Sequence, residues 1–153
     1  MSSLLTTLGL RAAPGGLVIA YFWTSTTRLQ KICLGIDNNV APREDFATLG
    51  EAAVKSGKVR RSTLNRLKRQ EAAHANSIEN FPVFAAATLI AVYAGVPNKT
   101  VHRFGLCYTV SRIAFNICYS YIENQSLSYL RSAVWWPGNI SCFTGLIAAA
   151  RKL

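Results

Sequence analysis

His74, Asn76 and Glu79 stand near the mouth of an apolar stretch, and polar groups carried to membrane depth are costly enough to read as a site by default. Asn76 and Glu79 are three residues apart, which sets them on one helical face. Pro82 follows in the same stretch and, lacking an N–H, frees the carbonyl of Ile78 one turn earlier. A carboxylate and an amide beside such a kink form a seat for a polar ligand. Downstream, Tyr108, Arg112, Phe115 and Tyr119 are spaced 4, 3 and 4, a single helical stripe with the guanidinium in its middle. An arginine in lipid needs a partner. Glu79 is the one acidic residue well inside any apolar stretch, so an Arg112 to Glu79 ion pair is the plain structural expectation. Arg28, Arg112 and Arg131 outnumber Glu79, and the surplus positive charge calls for an anionic ligand, phosphate head groups or bound water. Tyr119 either serves that ligand or turns its hydroxyl to the interface. His74 has no second His or Cys at ligand spacing, so it is expected to cap the helix or face water, and no metal site is expected.

The elements that carry these groups follow from composition. Half of the 153 residues are hydrophobic and 16% are charged, which describes a small polytopic membrane protein rather than a soluble one. The net charge is +10, and 10 of the 17 Lys and Arg lie between Arg28 and Arg69. No nucleic-acid motif accompanies them, so a nucleic-acid partner is excluded. They read as a cytosolic loop obeying the positive-inside rule, held also by anionic head groups. Cys33, Cys107, Cys118 and Cys142 form no CxxC pair, and neither a disulfide framework nor a zinc site is indicated. No removable signal peptide is expected.

Measured against the ~20 residues a helix needs to cross the hydrocarbon, four apolar runs qualify, at about 14–36, 62–96, 99–121 and 127–150. The first is the weakest, since Arg28 and Lys31 interrupt its far end. The basic loop 37–61 is placed in the cytosol, which puts both termini in the lumen. The turn near 95–98 is so short that the second and third helices must be antiparallel neighbours. The expected fold is all-α, a single domain forming an integral membrane four-helix bundle, up-down-up-down. At a rise of about 1.5 Å per residue from the lumenal ends, Arg28 and Arg112 lie roughly 20 Å up, and Asn76, Tyr119 and Arg131 roughly 30 Å up. The polar groups of all four helices thus share a layer toward the cytosolic side. Four helices cannot readily surround a layer to which all contribute, so a homo-oligomer with sites between subunits is expected.

Residues 73–84 resemble the N-x-x-E-x-x-P signature of the membrane-associated proteins in eicosanoid and glutathione metabolism, the MAPEG family. Arg112 and Tyr119 resemble its R-x-x-[YH]-x-x-x-Y pattern, and Leu130, Arg131 and Ser132 the start of its fourth helix. The resemblance covers nearly the whole chain. It implies a homotrimer in the endoplasmic reticulum that binds reduced glutathione as co-substrate between neighbours, near the cytosolic face. In that frame Asn76 and Glu79 hold the peptide, Arg112 and Tyr119 contact its carboxylate and backbone, His74 adds a polar contact, Arg131 stabilises the thiolate and Arg28 assists. Glutathione has two carboxylates and one ammonium, which suits several arginines and one glutamate. Two positions depart from the family pattern: Ala72 stands where an Arg is common, and Phe115 replaces a Tyr or His that donates a hydrogen bond.

The implied activity is glutathione transfer to a lipophilic electrophile, with peroxidase action on lipid hydroperoxides as a related outcome. The second substrate would arrive laterally from the bilayer. The alternatives are a glutathione-independent isomerase or cyclase of a lipophilic metabolite, and a non-catalytic lipid-binding scaffold. Ala72 and Phe115 lean toward these two, whereas Asn76, Glu79, Tyr119 and Arg131 lean toward the transferase.

Overall fold

The computed structural model describes residues 26–153. The first part of the expected first span, residues 14–25, lies outside the described residues. Residues 26–34 are helical (α1). A π-helical turn, Phe46–Gly50, runs directly into the short helix α2, Glu51–Lys55. Three long helices follow: α3, Arg61–Tyr93; α4, Asn98–Tyr121; and α5, Gln125–Ala150. The chain is all-helical, with no strand among the described residues.

The ends of the long helices are set locally. Gly95 takes a left-handed φ of +68°, its N–H reaches Val92 O, and the Val96 N–H reaches Ala91 O at 3.0 Å. This Schellman arrangement closes α3 on a residue without a Cβ penalty, and Pro97 starts α4. At the other end, the Asn124 side chain caps α5 by accepting from the Ser126 N–H at 2.8 Å. The turns make α3 antiparallel to α4 and α4 antiparallel to α5. The contacts follow suit, with Phe84 stacked on Tyr108 at 4.1 Å between ring centroids and Phe104 packed on Gly145.

At 33 residues α3 spans about 50 Å, well beyond the ~30 Å hydrocarbon thickness. Among the described residues it is the one helix long and apolar enough to cross a membrane by length and composition. α4 and α5, of 24 and 26 residues, also have the length to cross, and they turn polar residues toward each other and toward α3. Ser111, Asn116, Ser120, Asn139 and Ser141 are all buried. Their outer faces carry exposed Val110, Ile117, Ile140, Phe143 and Ile147, an arrangement suited to lipid on one side and hydrogen bonding on the other.

The described residues form two apolar cores. One, near the α3–α4 turn, joins Phe84, Ala87, Ala91, Val96, Val101, Phe104, Tyr108, Cys142 and Ala149. The other joins Ile36, Phe46, Ala53, Val59, Leu64 and Leu67. The basic segment expected as a plain loop is therefore a folded cap seated on the first turns of α3. Its centre is a buried ion pair: the Lys31 Nζ lies 2.9 Å from the Asp45 carboxylate, with side-chain exposures of 5% and 0%. Lys31 also donates to Pro42 O at 3.0 Å, and the second Asp45 oxygen accepts the Asn38 N–H at 3.0 Å.

Candidate functional site

Near the other end of the long helices from the α3–α4 turn lies a cleft of ≈ 470 Å³, lined by Asn76 of α3, Phe115 and Tyr119 of α4, and Ser128, Tyr129, Arg131, Ser132, Trp135 and Trp136 of α5. The α5 residues Ser128, Arg131, Ser132 and Trp135 recur at the 3–4 spacing of one helical face. Arg131 sets its guanidinium over the Tyr119 ring, 4.7 Å from the centroid, a cation–π contact that holds the charge in place without neutralising it. Its one hydrogen bond among the described residues is a long one, 3.4 Å from Nε to Ser128 O. The Asn76 Oδ1 is buried with no hydrogen-bond partner. Buried polar atoms are nearly always paired, so the orphaned Asn76 oxygen stands out on the same cleft wall that carries the Arg131 guanidinium.

The other residues singled out by sequence lie elsewhere. Arg112 is 3% exposed and is not part of the cleft lining. It stands behind Phe115 and Trp135, its Cζ 5.7 and 5.5 Å from their ring centroids, and its Nη2 donates to Trp135 O at 2.8 Å. The expected ion pair with Glu79 is absent among the described residues, and Glu79 is exposed. The reason is rotational: Ser77 and Asn80 take the inward face of α3, bonding Asn116 at 3.1 Å and Asn139 at 2.9 Å, which turns Glu79 outward. His74 is half-buried on α3 and does not line the cleft. Arg28 is exposed and donates to the Asn39 side chain, so it is tied to the cap. Arg69 does not replace the missing arginine at Ala72. Its Nη2 pairs with Glu123 at 2.6 Å and its Nε donates to Ser120 O at 3.2 Å, clamping the end of α4.

Sequence reading missed Ser128, Tyr129, Trp135 and Trp136 as lining residues. The periodic stripe through Arg131 was the signal that would have found Ser128 and Trp135. The Lys31 to Asp45 pair had no such signal, since Lys31 stood at the end of an expected span and Asp45 in a polar segment that looks solvated.

Among the described residues, three long helices pack around a buried polar seam, with a cationic, aromatic-walled cleft at one end. The chain belongs to the MAPEG family, whose family model matches residues 7–151, and it is thus a membrane protein related to glutathione and eicosanoid metabolism. No curated protein and no solved structure gives a match.

Proposed function

We propose that this chain is a membrane-embedded glutathione transferase that activates the glutathione thiol for attack on a lipophilic electrophile or hydroperoxide. The observation that supports it best is the Arg131 guanidinium held over Tyr119, in a cleft that Asn76 also lines. A free thiol titrates at ~8.5, and a nearby guanidinium lowers that value, so a thiolate forms at neutral pH. The thiol proton leaves to water, the sulfur pair attacks the electrophilic carbon, and the carbon–sulfur bond forms as the leaving group departs. Asn76 accepts from the peptide, Tyr119 and Ser132 offer hydroxyls to it, and the Trp135 and Trp136 faces receive the apolar substrate.

The full assembly in this reading is a four-helix, up-down-up-down subunit, trimerised in the endoplasmic reticulum with the cleft toward the cytosol. Glu79 and Arg28, exposed in one subunit, join the glutathione site at the boundary between subunits. With Arg69 committed to Glu123 and Phe115 unable to donate, glutathione is held by fewer charge-assisted bonds than the family pattern provides. That same aromatic wall favours a second reading, a lipid-binding scaffold or glutathione-independent isomerase, in which the cleft takes an apolar ligand alone.

Calorimetric titration of the detergent-solubilised protein with glutathione separates the two. The transferase reading expects millimolar or tighter binding, with the Arg131→Ala protein retaining fold and oligomer but losing conjugation of a chromogenic electrophile. Absence of binding at millimolar glutathione, or unchanged turnover in Arg131→Ala, sinks it.

A further inference from the structure

Pro137 stands inside α5 and has no N–H to give to Ala133 O, which opens a gap in the helical ladder. Immediately after it, α4 is sewn into the backbone of α5. The Ser111 hydroxyl donates to Val134 O and accepts the Gly138 N–H at 3.0 Å, standing between the two groups that a regular i to i−4 bond would join directly. Arg112 donates to Trp135 O at 2.8 Å, and Cys107 directs its thiol to Pro137 O at 3.7 Å. Gly138 permits this: a Cβ there would meet Arg112 Nη2 at 2.7 Å and Ser111 Oγ at 2.8 Å. The bridged segment, 134–138, carries both tryptophans that wall the cleft.

We infer that Ser111 and Arg112 are positioning residues for the apolar half of the site: by holding the α5 backbone at the rungs next to the one that Pro137 cannot make, they set the orientation of Trp135 and Trp136 and hence which apolar molecule the cleft admits. The inference rests on the reading that this cleft takes an apolar ligand. Neither side chain lines the cleft, so each acts through the α5 backbone. The geometry is specific to a hydroxyl at 111. One oxygen both accepts and donates there, which alanine cannot do and threonine can. It is also tied to the break, because alanine at 137 restores the rung to Ala133 O and relieves the ring's clash with that carbonyl, so the adjacent Gly138 N–H and Val134 O can close on each other without Ser111.

The test uses the full chain in detergent with Trp23→Phe, so that fluorescence reports Trp135 and Trp136 alone. Acrylamide quenching gives their exposure, and energy transfer to cis-parinaric acid gives the affinity for an apolar probe. Losing the bridge leaves a buried N–H and C=O unpaired, so Ser111→Ala is expected to raise quenching and weaken the probe about tenfold. Ser111→Thr should behave as the parent. In the Pro137→Ala background, Ser111→Ala should change both readouts less than about twofold, the signature of coupling through the break. An equal effect of Ser111→Ala with and without Pro137 would overturn the inference, as would unaltered quenching in Ser111→Ala or a threonine variant that matches alanine. The quenching readout needs no ligand. Glutathione titration of the same samples bears on the transferase reading alone, so failure of one is distinguishable from failure of the other.

Discussion

Replacing Asp45 by Asn removes the counter-charge of a buried lysine while keeping the shape of the side chain, and the consequence is calculable. At an effective dielectric constant of about 20, charges 2.9 Å apart attract by about 6 kcal/mol. Much of that offsets the cost of taking both groups out of water, and removing one partner of such a pair typically costs 3–5 kcal/mol. Here the lower end applies. The asparagine carbonyl still accepts the Asn38 N–H, Lys31 keeps Pro42 O at 3.0 Å, and the half-solvated Glu71 carboxylate waits at 3.7 Å. A loss of about 3 kcal/mol raises local opening by roughly a hundredfold. Hydrogen exchange of peptides covering 38–60 should show it, while peptides from 98–121 stay as protected as before. Lys31→Met combined with Asp45→Leu should recover most of the protection, because an apolar pair of similar volume escapes the desolvation cost. Exchange in Asp45→Asn within about threefold of the parent would refute the claim that this pair closes the cap.

Phe115→Tyr returns a hydroxyl to the cleft wall, and glutathione should bind up to about tenfold tighter by calorimetry; weaker binding would show that position 115 does not face the peptide. A Cβ at position 145 would sit 2.9 Å from Phe104 Cε1, whereas one at 105 meets nothing within 4 Å. Gly145→Ala should accordingly cost about 1–3 kcal/mol in thermal unfolding, and Gly105→Ala should stabilise slightly by removing unfolded-state freedom. On the cap, the Lys68 ammonium and the Arg61 guanidinium hydrogen-bonded to Glu51 hold its carboxyl below its ordinary value of 4.5. A depressed folded value means that Glu51 supports the cap above pH 4.5 and that the support disappears as pH falls through the lower folded value. Limited proteolysis of the cap against pH should therefore show an acid-dependent step that Glu51→Gln flattens.

The sequence by itself determined what is local or periodic. Helical character follows from the apolar runs, and the end of α3 follows from Gly95 and Pro97, because backbone sterics act over a few residues. Membership of the MAPEG family was legible in the spacing of Asn76, Glu79 and Pro82. Height along a helix is also a matter of counting, which is how Asn76, Tyr119 and Arg131 could be assigned a common level, and all three line the cleft. Rotation about the helix axis was beyond reach. Glu79 and Arg112 have the right charges to pair, but Ser77 and Asn80 bond across to α4 and α5, and that choice of inward face depends on all three helices at once. The partner of Arg112 proved to be a backbone carbonyl near a proline break, a group that every residue carries and no composition reveals. The cap likewise exists only in three dimensions: Lys31, at the end of an expected span, and Asp45, in a polar segment that looks solvated, become buried together once Phe46, Leu64 and Leu67 close over the same core.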